Sequence, residues 1–323
     1  MPSTIVILAT GGTIAGTSAR AGDNVGYTAA QRSVGDLLAD LPSNLAGGPP
    51  ALIEAEQVSQ LDSKDMDPAT WQHLARRVAH HLARPDVAGL VITHGTDTLE
   101  ETAWLLQRVL APTKPVVLVA AMRPATALAA DGPQNLLDGL AVARTSGALG
   151  VVAVLAGRVH AAGDVRKVHT YRPDAFDSGD AGPLVVVEEG RLRRFRPWPQ
   201  GMPLGLGVLA VDIALWPWVE IVSSHAGARG DGVRALQAAG VQGLVVATTG
   251  NGTVHHALDS ALIEASAAGV MVWRCTRCAS GVIVGGHGVD ERVPATAPAA
   301  AMSPWQARVE LLLTLLAQRG GGA

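Results

Sequence analysis

The segment THGTDT (93–98) places three threonines, a histidine and an aspartate in one short stretch. A threonine hydroxyl is a poor nucleophile until a base removes its proton. Asp97 stands beside Thr96 but is a weak base, and a lysine that can release its proton would serve better. Only three of the 25 lysine and arginine side chains are lysines. Nucleophilic chemistry at this segment would therefore draw on Lys64, Lys114 or Lys167.

The same segment could also do no more than begin a helix. Threonine and aspartate are common N-cap residues, and Thr98 and Glu101 have the spacing of a capping box. We expect this pair to cap the helical stretch TLEETAWLLQRVL (98–110). Capping by that pair leaves residues 94–97 without a structural task, which favours a functional role for them.

The glycine-rich segment TGGTIAG (10–16) invites comparison with the dinucleotide-binding pattern GxGxxG. Gly11 and Gly16 fit, but Thr13 stands where the second glycine lets the backbone approach a pyrophosphate. The chain also lacks the GK[ST] of a phosphate-binding loop. We therefore predict that the protein uses no nucleotide cofactor, and no other cofactor is predicted.

Composition argues against several partners and sites. A net charge of −3, two tyrosines and two phenylalanines are unlike a nucleic-acid binder, and no apolar run approaches the ~20 residues of a membrane-spanning helix. The N-terminus lacks the charged region of a signal peptide, so we expect a cytoplasmic protein. Cys275 and Cys278 form a lone CxxC without a second pair, and no metal site is predicted.

Short apolar runs alternate with helical patterns over the first half of the chain. One helix start is clear, because Asp67 precedes Pro68 at the beginning of the amphipathic stretch 67–84. Such alternation is typical of βαβ units and a mostly parallel sheet. The predicted strands are 4–10, 51–58, 87–93, 115–121 and 151–157.

The pattern changes after Gly157, which indicates a second domain. Residues 184–195 read as a hairpin, and the Pro- and Gly-rich segment 196–207 reads as a linker. We predict an α/β fold of two domains: a larger N-terminal catalytic domain (1–195), with a mostly parallel sheet flanked by helices, and a smaller C-terminal domain (208–323). The second set comprises the apolar segments 207–215, 243–249 and 270–273, and helices near 231–239, near 255–268 and from Ser303 and Pro304.

Both polar segments follow predicted strands. In open parallel sheets, ligands bind beyond the carboxyl ends of the strands. We therefore expect residues 10–16 and 93–98 to form one site.

The residues around both segments closely resemble the two signature motifs of the bacterial-type L-asparaginases, the asparaginase/glutaminase family. The motifs are ILATGGTIAG (7–16) and VITHGTDTLEETAWLL (91–106). The resemblance continues through GYTAAQ, DSKDM, AAMRPATALAADGPQNLLDGL, GDVRKVHT, ATTGNGT and RCTRCASG, and so covers almost the whole chain. It implies hydrolysis of the side-chain amide of asparagine, often also of glutamine, to the acid and ammonia.

The resemblance also implies roles for individual residues. Thr13 would be the nucleophile that attacks the amide carbon, and Tyr27 would hydrogen-bond it. Thr96, Lys167 and Asp97 would form a second set, in which Lys167 keeps Thr96 able to accept a proton or to activate water. Asp97 would also hold the α-ammonium group of the substrate.

Further residues are implied in substrate binding. Ser63 resembles the serine that binds the α-carboxylate, and Asn251 resembles a residue offered to the neighbouring subunit's site. We also expect Gly12 and Gly95 at the substrate, because backbone N–H groups around Gly95 can stabilise a developing oxyanion. Lys64 departs from the family pattern and would repel the α-ammonium if it pointed inward.

A second departure concerns the partner subunit. Tetrameric relatives lend a glutamate from the loop after the stretch matching RCTRCASG, where this chain offers only Asp290 and Glu291. The resemblance implies at least a homodimer, and homotetramers are common. Three alternatives remain: a glutaminase-asparaginase or related amidohydrolase with shifted preference, the amidase partner of a transfer-RNA-dependent amidotransferase, and an inactive amino-acid-binding protein of the same fold.

Overall fold

A computed structural model describes residues 3–20, 22–39, 51–284 and 301–320. The chain divides into two compact units, Met1–Leu206 and Gly207–Ala323. The predicted loop residues Asp290 and Glu291 lie outside the described residues. None of the helices in the described ranges has the length and apolar composition needed to cross a membrane.

The first unit is built on an eight-stranded mixed sheet with the strand order β12-β11-β8-β7-β6-β5-β1-β4. The neighbouring strands β4, β1, β5, β6 and β7 run parallel. The strands β8, β11 and β12 each pair antiparallel with the strand before them in this sheet. The strands of this unit are β1 (Ser3–Gly11), β2 (Thr17–Ser18), β3 (Tyr27–Thr28), β4 (Ala51–Leu61), β5 (Val87–Thr93), β6 (Pro115–Val119), β7 (Gly150–Leu155), β8 (Arg158–Ala161), β9 (Arg166–Lys167), β10 (Phe176–Asp177), β11 (Val185–Glu188) and β12 (Arg191–Arg194).

Four helices pack against this sheet: α1 (Val34–Ala39), α2 (Pro68–Leu82), α3 (Leu99–Leu110) and α4 (Gly132–Ala143). Alternate residues of the central strands, such as Ile7, Val91 and Val117, form one apolar core with Leu136 and Leu140 of α4. The residues between them point to the opposite face, since side chains alternate along a strand, and α2 and α3 also contact the parallel strands. Burial on both faces explains why these strands read as continuous apolar runs.

The predicted start of α2 is confirmed in detail. Asp67 is the N-cap, its carboxylate accepts the backbone N–H of Thr70 at 2.7 Å, and Pro68 is the first helical residue. The predicted α/β fold with a mostly parallel sheet is likewise confirmed, and β5 spans the predicted residues 87–93.

The second unit carries a parallel three-stranded sheet, β13-β14-β15. The apolar segment 207–215 does not open this sheet as expected; it contributes to two 3₁₀ turns, Leu206–Leu209 and Ile213–Leu215. The first strand follows it, because Val219–Ser223 pairs in register with Gly243 to Ala247. The elements of this unit are β13 (Val219–Ser223), α5 (Asp231–Ala238), β14 (Gly243–Thr248), α6 (His256–Ala267), β15 (Met271–Thr276) and α7 (Pro304–Gly320).

Candidate active site

The sheet brings the two polar segments together, as expected from their positions in the sequence. β1 and β5 are adjacent and parallel, with Ala9 paired to Thr93, so both chains leave the sheet at the same edge. Thr13 opens a 3₁₀ turn just beyond β1. Thr96 lies between β5 and α3. Strands that are distant in sequence thus place two threonines on the wall of one cavity.

Two glycines allow these loops to approach closely. A Cβ on Gly12 would lie 2.4 Å from the backbone of Gly95, and Gly12 also has φ +82°, which disfavours other residues. A Cβ on Gly95 would lie 2.3 Å from the Ser63 Oγ. The two loops therefore pack backbone against backbone, and the Gly95 backbone packs against the Ser63 side chain. The predicted substrate contacts of both glycines stay predictions.

A cavity of about 220 Å³ opens at this edge of the sheet. Its volume is below the ~300–1,000 Å³ of pockets for drug-sized ligands, which suits a molecule as small as one amino acid. Most of its wall is polar. The lining residues are Thr13, Asn24, Val25, Tyr27, Asp62, Ser63, Thr96, Asp97, Met122, Lys167, Thr170 and Tyr171.

One side of the cavity carries a pair of hydroxyl groups. The Thr13 Oγ1 and the Tyr27 phenol oxygen are 2.8 Å apart, and either can donate the hydrogen bond. Thr13 lines the cavity but is otherwise buried, with 8% of its surface exposed. Tyr27 reaches it from β3, which pairs with β2 directly after the Thr13 turn.

The second threonine of the cavity meets a lysine and a carboxylate. The Lys167 Nζ donates to the Thr96 Oγ1 at 2.9 Å and to the Asp97 Oδ1 at 2.6 Å. Lys167 belongs to β9, which is anchored by pairing with β10. Of the three lysines weighed from the sequence, the structure places Lys167 at the threonine. Lys114 instead donates to the backbone carbonyls of Leu82 and Arg84 at the C-terminal end of α2.

Ser63 holds the loop of residues 94–98, the second loop, in place through two hydrogen bonds. Its Oγ accepts the backbone N–H of Asp97 at 3.1 Å, and its carbonyl accepts the Thr98 hydroxyl at 2.8 Å. The capping hydrogen bond expected from the Thr98 hydroxyl is therefore wrong. Thr98 does occupy the N-cap position of α3, but its side chain makes no capping hydrogen bond because the hydroxyl is used across the loop.

Lys64 does not line the cavity. Its Nζ contacts the carboxylates of Asp62 and Asp65 at 2.6 and 3.3 Å, and 60% of its side chain is exposed. Asp62 is the cavity-lining member of this group. Sequence reasoning missed Asp62, because its only local signal was its position directly before Ser63. The lining residues missed as well are Asn24, Val25, Met122, Thr170 and Tyr171; Met122 and Thr170 lie in segments of the resemblance, but nothing in the sequence assigned any of the five a role.

Two buried titratable groups lie beside the second loop. Burial lowers the pKa of His94 to about 4, so the ring is neutral and donates from Nδ1 to the Gly95 carbonyl at 2.7 Å. Burial also raises the pKa of Glu100 to about 7, and this carboxyl accepts the backbone N–H of Lys167. The charges of His94, within the loop, and of Glu100, against the Lys167 backbone, therefore depend on pH.

Asn251 and the cysteines belong to the second unit. The Asn251 side chain accepts the backbone N–H of Val284 at 2.7 Å, and its predicted role at a neighbouring subunit's site stays a prediction. Cys275 is buried and Cys278 is exposed, and they form no disulfide. Among the described residues, no group of three or more His, Cys, Asp or Glu side chains is arranged to hold a metal ion.

Comparison with known proteins adds an independent observation. Residues 4–200 match the family model described as Asparaginase, N-terminal, and residues 218–320 match that of the Glutaminase/Asparaginase C-terminal domain. The chain belongs to the asparaginase/glutaminase family. The two matches lie one in each compact unit, so the family assignment covers both.

Individual members of the asparaginase/glutaminase family resemble the chain over most of its length. It is 37% identical to a glutaminase-asparaginase from Pseudomonas fluorescens biotype A, over 87% of this chain and 77% of that protein. It is 36% identical to a probable periplasmic L-asparaginase from Haemophilus influenzae, over 96% and 88%. The crystal structure of a probable cytoplasmic L-asparaginase from Campylobacter jejuni superposes with a TM-score of 0.89 at 33% identity, covering 98% of both chains.

Proposed function

We propose that the protein is an L-asparaginase, which hydrolyses L-asparagine to L-aspartate and ammonia through a threonine acyl-enzyme. One observation carries the proposal: a single small cavity holds the Thr13–Tyr27 pair and the Thr96–Lys167–Asp97 set. As a member of the asparaginase/glutaminase family, the chain is an amidohydrolase for an amino-acid amide. The choice of asparagine and the residue roles are ours.

In the first step, the Thr13 oxygen forms a bond to the amide carbon of the substrate. The Thr13 proton passes through the neighbouring hydroxyl groups to the leaving nitrogen, the C–N bond breaks, and the nitrogen departs as ammonia. Tyr27 orients the Thr13 hydroxyl through their 2.8 Å contact. A covalent intermediate of this kind replaces one difficult step by two easier ones.

In the second step, water attacks the acyl carbon and restores Thr13. Thr96 receives a hydrogen bond from Lys167, which directs the hydroxyl proton of Thr96 away from the lysine. Thr96 can then accept a proton from the attacking water while it passes its own proton to the departing Thr13 oxygen. Asp97 holds Lys167 in this position at 2.6 Å. The backbone N–H of Thr96 is our choice as a donor to the oxyanion, and one such donor is worth about 3 kcal/mol.

Ser63 and Asp97 are proposed to bind the α-carboxylate and α-ammonium groups of the substrate, respectively. Both line the cavity, and the hydrogen bond between the Asp97 N–H and the Ser63 Oγ holds them together. We further propose a cytoplasmic homodimer or homotetramer, to which Asn251 contributes between subunits.

A glutaminase-asparaginase is the second candidate, favoured by the 37% identity to the Pseudomonas fluorescens protein of that name. The alternative of an inactive amino-acid-binding protein is less well supported, because Thr13, Thr96, Asp97 and Lys167 are all present and all line the cavity.

Ammonia release from L-asparagine, L-glutamine and D-asparagine tests the proposal. We expect release from L-asparagine, with Thr13→Ala and Thr96→Ala each nearly inactive but folded. Thr28→Ala is the matched control, since Thr28 is exposed and outside the cavity wall. Wild-type turnover in either of the two cavity variants would refute the assigned roles. Equal rates for both L-amides would select the second candidate.

A further inference from the structure

Asp62 brings to the cavity wall a negative charge whose ion-pair partner, Lys64, does not line the cavity. The charged side chains that line the cavity are Asp62, Asp97 and Lys167. Lys167 and Asp97 form an ion pair at 2.6 Å and offset each other. Asp62 is therefore the charge on this wall that no other lining residue balances.

The cation that pairs with Asp62 is Lys64, which does not line the cavity. The Lys64 Nζ binds the Asp62 Oδ2 at 2.6 Å, whereas the Lys64 backbone N–H reaches the Oδ1 only at 3.5 Å. A hydrogen bond of that length is weak. Among the described residues, the Oδ1 has no closer donor, so it retains the capacity to accept a hydrogen bond from a ligand.

The neighbouring residue places Asp62 beside a bound amino acid. Asp62 directly precedes Ser63, which is 1% exposed and lines the same cavity. The Asp62 side chain is 35% exposed, so water screens its charge only in part. A carboxylate in such a position attracts an ammonium group and repels a ligand with net negative charge.

We propose that Asp62 makes the site selective for substrates that carry an α-ammonium group, and that Lys64 weakens this selectivity by sharing the Asp62 carboxylate. This inference rests on the proposed hydrolysis of an amino-acid amide and deepens it. Asp62 supplements Asp97, whose carboxylate is shared with Lys167. Lys64 thus acts on the substrate indirectly, through Asp62, rather than by direct contact.

The test compares L-asparagine with succinamic acid, which is asparagine without its α-ammonium group. In Asp62→Asn, we expect the KM for asparagine to rise about tenfold relative to that for succinamic acid. This moderate effect is expected because the energy of a charge pair at this partly exposed position lies between its values in bulk water and near a protein surface. The kcat for asparagine should stay nearly constant, because the α-ammonium is bound equally in ground and transition states. Lys64→Gln should move the ratio of KM values in the opposite direction.

Asp65→Asn is the matched control. Asp65 also contacts Lys64, at 3.3 Å, but is 69% exposed and does not line the cavity. An unchanged ratio in Asp62→Asn, or an equal shift in Asp65→Asn, would overturn the inference while leaving the proposed function intact.

Calorimetric binding of L-aspartate and succinate separates the two proposals further, because it needs no turnover. Loss of aspartate binding alone in Asp62→Asn supports the inference. Absence of both ammonia release and aspartate binding in the wild-type protein would remove the proposed function, and this inference with it.

Discussion

Replacement of Glu100 by glutamine should stabilise the protein at alkaline pH and have little effect in acid. Glu100 lies in the first turn of α3 and is 7% exposed. Its carboxyl accepts the Lys167 backbone N–H, and its Oε2 has no hydrogen-bond partner among the described residues. Burial, with a smaller contribution from Glu101, raises its pKa from 4.5 to about 7.

The sign of the effect follows from the two pKa values. The unfolded chain loses the Glu100 proton near pH 4.5, whereas the folded protein holds it until about pH 7. Ionisation therefore favours the unfolded state from pH 4.5 upward, and the cost is complete above pH 7. A difference of about 2.5 pH units corresponds to about 3 kcal/mol, at 1.36 kcal/mol per unit. Glutamine has the same shape and no charge to bury.

Urea unfolding at pH 5 and pH 8 measures this contribution. The free energy of unfolding of Glu100→Gln, relative to wild type, should increase by about 2 kcal/mol between these two pH values. Glu188→Gln is the matched control, because its carboxylate is 64% exposed. A difference between variant and wild type that does not depend on pH would refute the reasoning, as would destabilisation of Glu100→Gln at pH 8.

Three further predictions concern other contacts. Tyr27→Phe removes the hydrogen bond to Thr13, so kcat for ammonia release should fall about 10²-fold with an unchanged melting temperature; unchanged kcat would contradict it. Arg274→Met removes a fully buried guanidinium from Asp259, 2.6 Å away, and should lower the free energy of unfolding in urea by about 3 kcal/mol; a neutral effect would show that the pair is dispensable. Burial lowers the pKa of His94 to about 4. Protonation of His94 should therefore lower the free energy of unfolding as pH falls from 6.5 to 4, by about 3 kcal/mol in total. Urea unfolding of His94→Asn should lack most of this loss, and an identical acid profile would argue against it.

Local patterns account for much of the fold. Asp67 and Pro68 mark the start of α2, because N-cap hydrogen bonding and the fixed φ of proline act within a few residues. The apolar runs predict the central strands, because those strands are buried on both faces. The segment 207–215 misled, because an apolar run predicts a buried strand, whereas only Val208 and Leu209 of this segment are buried and the chain forms two 3₁₀ turns there.

The candidate site was predicted in part. The resemblance and the strand-end rule selected Thr13, Thr96 and Lys167, which the structure brings into one cavity. Asp62 was missed, because only the packing of its turn beside the other loops places it in the cavity wall. The Thr98 cap was wrong, because a contact across the fold with Ser63 displaced a local one.

The sequence by itself determined the alternation of strands and helices and the residue types at the strand ends, because these depend on periodicity and on neighbours within a few positions. Only the tertiary structure decided which distant groups meet. Lys167 contacts Thr96 across 71 residues, through the order and pairing of strands, and Glu100 changes its pKa because packing removes water from around it. Distances and dielectric environment are properties of the assembled core, and no local pattern encodes them.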